Sequence, residues 1–128
     1  MFGNTEAFSS FAVDDIERAR RFYGETLGLR VTDESMGALL LHIPGGRPVF
    51  VYPKDGHTPA TYTVLNFPVT DIDTAVDELT SRGVTLERYP QFEADEKGIT
   101  RRGPEGGPAA IAWFTDPAGN VLSVMQEN

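Results

Sequence analysis

The chain has 128 residues, 40% of them hydrophobic and 23% charged, and no cysteine; this is enough chain to bury a core, and it excludes disulfides and thiolate-bound metals. The formal net charge is −8, split as −2 over residues 1–55 and −6 over residues 56–128, which excludes the basic face that nucleic acid requires and favours a cationic small ligand at a distance. No run approaches the ~18 apolar residues of a membrane span, and the start MFGNTEAFSS lacks the basic and apolar parts of a secretion signal, so no membrane partner and a cytoplasmic location are expected.

In chain order, residues 7–13 (AFSSFAV) predict a strand. Asp14 is the expected N-cap of a helix, with Glu17 three residues on as in a capping box. Ile16, Ala19, Phe22, Tyr23 and Leu27 then fall at helical spacing, and Gly28 stands where a left-handed stop belongs. LRVTDES, GALLLHIP and RPVFVYP read as three short strands bounded by turn residues. After the turn-rich PKDGHTPA the order begins again. Residues 61–69 (TYTVLNFPV) predict a strand, and Thr70 a cap with Asp73 three on. Ile72, Ala75, Val76 and Leu79 form a stripe that Gly83 ends. VTLERYPQF, AAIAWFTD and NVLSVMQE are three more strands. Before the second of them, EADEKGITRRGPEGG is a polar, Gly-rich insert that predicts a loop or irregular hairpin. Its Glu93, Asp95 and Glu96, and its Arg101 and Arg102, are expected to be solvated, with a binding lid as the alternative.

The two halves repeat each other. FAVDDIERA at 11–19 and FPVTDIDTA at 67–75 share F-x-V-x-D-I-x-x-A at a constant offset of 56. Strand, helix, stop and three strands recur after each, which points to internal duplication. The predicted fold is α+β: two tandem βαβββ modules, about 6–54 and about 61–127, forming one domain over 1–128. Their curved mixed sheet is expected to enclose a cleft.

VDDIERARRFYGETLGLRV resembles the opening helix of the vicinal oxygen chelate superfamily, which holds glyoxalases, bleomycin-resistance proteins and extradiol dioxygenases. FTDPAGNVLSVMQ resembles that superfamily's closing D-P-x-G-N turn and last strand. The resemblance implies four metal-ligand positions, two per module. They fall here on Phe8, Val64, Ser123 and Phe50, or on Tyr52 in place of Phe50 if the register shifts by two. None supplies the imidazole or carboxylate that a divalent ion wants. His42 and His57, the two histidines, lack convergent partners in the sequence. No metal and no cofactor are therefore expected.

If the positions the resemblance implies, Phe8, Phe50, Val64 and Ser123, face the cleft, alternation along the strands adds Ser10, Tyr52, Asn66 and Met125 to its lining, with Trp113 available to stack on a planar ligand. No nucleophile elbow, phosphate loop or dinucleotide fingerprint occurs. The expected function is metal-free sequestration of a small organic molecule, a cationic compound or an antibiotic among the candidates, by a homodimer. The alternative is a metal-dependent lyase, isomerase or dioxygenase of the same superfamily.

Overall fold

The structure is a computed structural model and describes residues 1–101 and 109–127. It divides into two units, Met1–Pro59 and Ala60–Asn128. In the first, β1 (Ser10–Val13) leads into α1 (Ile16–Arg21), which passes directly into a π-type turn over Phe22–Thr26. Then come β2 (Arg30–Asp33), β3 (Leu39–His42) and β4 (Val49–Pro53). The sheet order is β1-β4-β3-β2, with β1 parallel to β4 and the other pairs antiparallel. Alternation sorts its faces. Phe11, Val13, Leu39, Leu41 and Val51 are buried on one face. There the Phe11 ring meets Tyr23 of the π turn, 5.9 Å between centroids. Ser10, Ala12, Leu40, His42, Phe50 and Tyr52 share the opposite face by register.

In the second unit β5 (Thr63–Pro68) precedes α2 (Ile72–Ser81), followed by β6 (Leu86–Glu87), β7 (Thr100–Arg101), β8 (Ala110–Thr115) and β9 (Val121–Gln126). The order is β5-β9-β8-β6, with β5 parallel to β9. The short β6 and β7 pair with opposite ends of β8, so together they occupy the place of one broken strand. Ala112, Phe114, Leu122 and Val124 are buried on one face, and Ile72, Val76 and Leu79 of α2 are buried with them. Among the described residues the architecture is α+β, with two helices and nine strands in two mixed sheets. None of these helices is long and apolar enough to cross a membrane.

Several sequence expectations are corrected. Asp15, not Asp14, caps α1, accepting from the Glu17 and Arg18 backbone amides. Asp71, not Thr70, caps α2, accepting from the Thr74 amide. Both caps sit in extended backbone one residue later than expected, because each helix begins at the Ile of the shared motif. Glu17 and Asp73 do not reach back to close a capping box: Glu17 pairs with Arg20, and Asp73 with Lys97 and Arg101. The expected strand VTLERYPQF is reduced to Leu86–Glu87, because Tyr89 and Phe92 turn onto Trp113 instead of continuing a ladder. The polar insert holds β7 and a tied turn. Asp95 accepts from the Lys97 and Ile99 amides, and Arg101 bridges Asp95 and Asp73, so these charges are partnered rather than simply solvated. Arg102, assigned above to the same loop, lies outside the described residues.

Candidate functional site

The ladder registers locate the residues singled out from sequence. In the first unit Ser10 lies opposite Phe50, and Ala12 opposite Tyr52. In the second, Asn66 lies opposite Ser123, and Pro68 opposite Met125. Ser10 and Asn66 keep the offset of 56, so Phe50 and Ser123 are the equivalent positions of the two units, and the alternative register at Tyr52 is not the one formed.

The first unit brings its four candidates together. Phe8 stands just before β1, its ring 6.4 Å from that of Phe50. Phe50 in turn lies 6.1 Å from Tyr52. These rings, with Ser10, line a pocket of about 430 Å³ on the open face of the sheet. Ala38, Met36 and Pro53 complete its wall, and no charged side chain is among the lining residues. Phe8 keeps 56% of its surface exposed, an unusual position for a phenylalanine that had only core packing to do. Arg47 lies over the Phe8 ring, 5.3 Å from the centroid, and donates to the Glu6 carbonyl at 2.7 Å. Met36, Pro53 and Arg47 were not found by sequence reasoning. Met36 sits at a hairpin tip and Arg47 in a turn, positions where strand alternation carries no information.

On the same sheet, His42 is half-buried and its Nε2 is 2.8 Å from the Thr32 hydroxyl. His57 lies in the connection after β4, and its buried Nε2 has no hydrogen-bond partner.

In the second unit the candidates are more occupied. Ser123 is fully buried, and its hydroxyl donates to the Asn66 side-chain oxygen. Its hydroxyl is therefore engaged by the residue opposite it in the ladder. Val64 is the extra residue of a bulge, since Thr63 and Leu65 face the consecutive Val121 and Leu122. Phe8, its counterpart by sequence, precedes its strand, so the two hold different ladder positions. Trp113 lies opposite Ser123 and donates to the Thr63 hydroxyl at 3.2 Å. Its ring meets Phe92 at 4.9 Å and Tyr89 at 5.6 Å. Burial, and behind it the charge of Glu87, pushes the Tyr89 hydroxyl above its usual pKa, so it stays protonated. Met125 is half-buried and lies opposite Ile111. A further hollow of about 530 Å³ beside α2 is lined in part by Arg88, Glu96 and Lys97. Arg88 and Lys97 are spent on neighbours: Arg88 donates to the Asp95 and Glu96 carbonyls, and Lys97 pairs with Asp73 and Asp77.

Among the described residues no three His, Cys, Asp or Glu side chains gather where they could hold a metal ion. At the four positions matched to ligands, Phe8, Phe50 and Val64 carry no donor atom, and the Ser123 hydroxyl is committed to Asn66. The residues do not fit a divalent cation.

Comparison with known proteins agrees with this architecture. The chain is similar to a solved member of the Glyoxalase/bleomycin resistance protein/dioxygenase superfamily from Sphaerobacter thermophilus DSM 20745, with 29% identity, a TM-score of 0.63, and 94% of this chain and 97% of that one covered. It is similar to a glyoxalase/bleomycin resistance protein from Streptomyces sp. CB03234, with 25% identity, a TM-score of 0.61 and coverage of 94% and 100%. It is also similar in fold to TnmS3, an antibiotic binding protein from Streptomyces sp. CB03234, with 24% identity, a TM-score of 0.67 and coverage of 98% of both chains. Comparison with curated proteins finds no match. A family model matches residues 7–124, and the chain belongs to the Glyoxalase/Bleomycin resistance protein/Dioxygenase superfamily.

Proposed function

We propose that this protein binds a small organic molecule without a metal ion and without transforming it. The observation that carries the reading is the pocket on the open face of the first unit. Its volume of about 430 Å³ falls within the range of small-molecule sites. Three aromatic rings line it, Phe8 among them left more than half exposed. Two further observations support it. The positions matched to metal ligands hold side chains without usable donors. TnmS3, described as an antibiotic binding protein, shares the fold over nearly its whole length. Sequestration needs affinity alone, so it tolerates the loss of a catalytic ion. Aromatic antibiotics are the first compounds to test. We propose further that the protein is a cytoplasmic homodimer, since closed twofold pairing is the commonest soluble assembly; light scattering would then give twice the 14.0 kDa chain mass.

Equilibrium titration with a panel of aromatic natural products tests the reading, beside Phe50→Ala. Removing one ring of the pocket should weaken the best binder about 10-fold. Elemental analysis of protein purified without chelator tests the rest: stoichiometric zinc, nickel, manganese or iron surviving dialysis would replace this reading with a metal-dependent lyase, isomerase or dioxygenase.

A further inference from the structure

The β2–β3 hairpin turns at Met36 and Gly37. Met36 has φ 62° and ψ 29°, Gly37 has φ 74°, and the Ala38 amide donates to the Ser35 carbonyl at 3.3 Å. Two consecutive positive φ values closed by that bond describe a type I′ turn, whose first central position favours Asn, Asp or Gly. Among the described residues Met36 is the one non-glycine with positive φ. Nor is it held there by packing, since it is 94% exposed. Neither the turn nor the core explains methionine at this position. It stands instead in the wall of the aromatic pocket, beside Phe8, Phe50 and Tyr52.

From this, and resting on the binding reading above, we infer that Met36 is a specificity-determining residue that closes over a neutral, planar aromatic ligand laid on Phe50 and Tyr52. The ligand is planar because the pocket lies on a sheet face lined by rings. It is neutral because no lining residue carries charge, and Arg47, which lies over the Phe8 ring, is engaged with Phe8 and Glu6. An unbranched thioether suits such a cover, because it adapts its shape and gains from contact with aromatic rings. An exposed, left-handed methionine is then a residue kept for its ligand at some cost to the turn.

The test uses 1-aminoanthracene, a neutral planar fluorophore, with proflavine as the planar cation, against the parent protein, Met36→Asn and Met36→Leu. Met36→Asn should raise the melting temperature by about 2–4 °C by relieving the turn, yet weaken 1-aminoanthracene about 2- to 10-fold. Met36→Leu should leave the melting temperature unchanged and bind nearly as the parent does. Bound 1-aminoanthracene should also slow peroxide oxidation of Met36 but not of Met1, read by peptide mass. Parent binding that Met36→Asn leaves unchanged would overturn the role of Met36 and leave the binding reading standing. Tighter binding of proflavine than of 1-aminoanthracene would overturn the neutral class alone. Failure of every compound in both panels would overturn the inference and the binding reading together.

Discussion

Asp95 and Asp116 close two turns of one design. Each accepts from the backbone amides two and four residues on: Lys97 and Ile99 for Asp95, Ala118 and Asn120 for Asp116. In each the amide of a left-handed glycine, Gly98 or Gly119, donates to the aspartate's own carbonyl at 3.0 Å. The D-P-x-G-N signature thus has a local mechanism, and D-E-K-G-I, which shares only its Asp and Gly, uses the same one. Burial acts to raise the Asp95 pKa, but the Ile99 and Lys97 amides and Arg101 outweigh it and hold the carboxyl below its ordinary value of 3.8. A lowered folded value contributes stability that is full above the ordinary pKa and is lost as pH falls through the folded one. Asp95→Ala should therefore cost about 1–2 kcal/mol at pH 7, as for a lost cap. Its melting curve should converge on the parent's as the pH falls below the ordinary carboxylate range. A difference that persists undiminished as the pH is lowered through the folded pKa would contradict the carboxylate's role.

At the scale of elements, the two helices show where the two units differ. Gly28 follows Asp15 by 13 positions and Gly83 follows Asp71 by 12. The first module absorbs the additional residue in its π turn, where the Leu27 amide donates five residues back to the Phe22 carbonyl at 2.9 Å. Insertion into a helix commonly takes this form. The second helix ends in a Schellman arrangement, the Val84 amide donating to Leu79 and the Gly83 amide to Thr80. Two glycine substitutions separate conformational from steric cost. Gly83 has φ 86° with open space around an added Cβ, so Gly83→Ala should cost about 1–2 kcal/mol. Gly98 has φ 92°, and its Cβ would lie 2.8 Å from Leu86 Cβ, so Gly98→Ala should cost clearly more, about 3 kcal/mol. Equal costs in urea titrations would show that β6 yields freely.

For the whole molecule, each unit has its own sheet, and Trp113, the one tryptophan, stands in the second. A chain of about 60 residues alone is marginal, so we expect both units to unfold together. Leu41→Ala, a fully buried change in the first unit, should cost about 2–5 kcal/mol. It should shift the Trp113 fluorescence transition and the far-ultraviolet circular dichroism transition equally. A fluorescence midpoint left unmoved would make the units independent.

The sequence by itself pointed to the family through its opening-helix and D-P-x-G-N motifs, and to the α+β class and the opposite faces taken by Phe11 and Val13 against Phe50 and Tyr52, because hydrophobic alternation and stop residues are local signals read directly from residue order. It placed both caps one residue early, since adjacent Asp14 and Asp15, or Thr70 and Asp71, offer near-equal capping chemistry until the backbone chooses. The tertiary structure alone decided the rest. The Val64 bulge arises from pairing with β9, the Ser123 hydroxyl is consumed by a residue 57 positions away, and Tyr89 and Phe92 leave their expected strand for Trp113. Met36 joins Phe8 and Tyr52 only because a hairpin tip meets the end of a sheet face. These are contacts between distant segments, and their energies depend on partners that no local window contains.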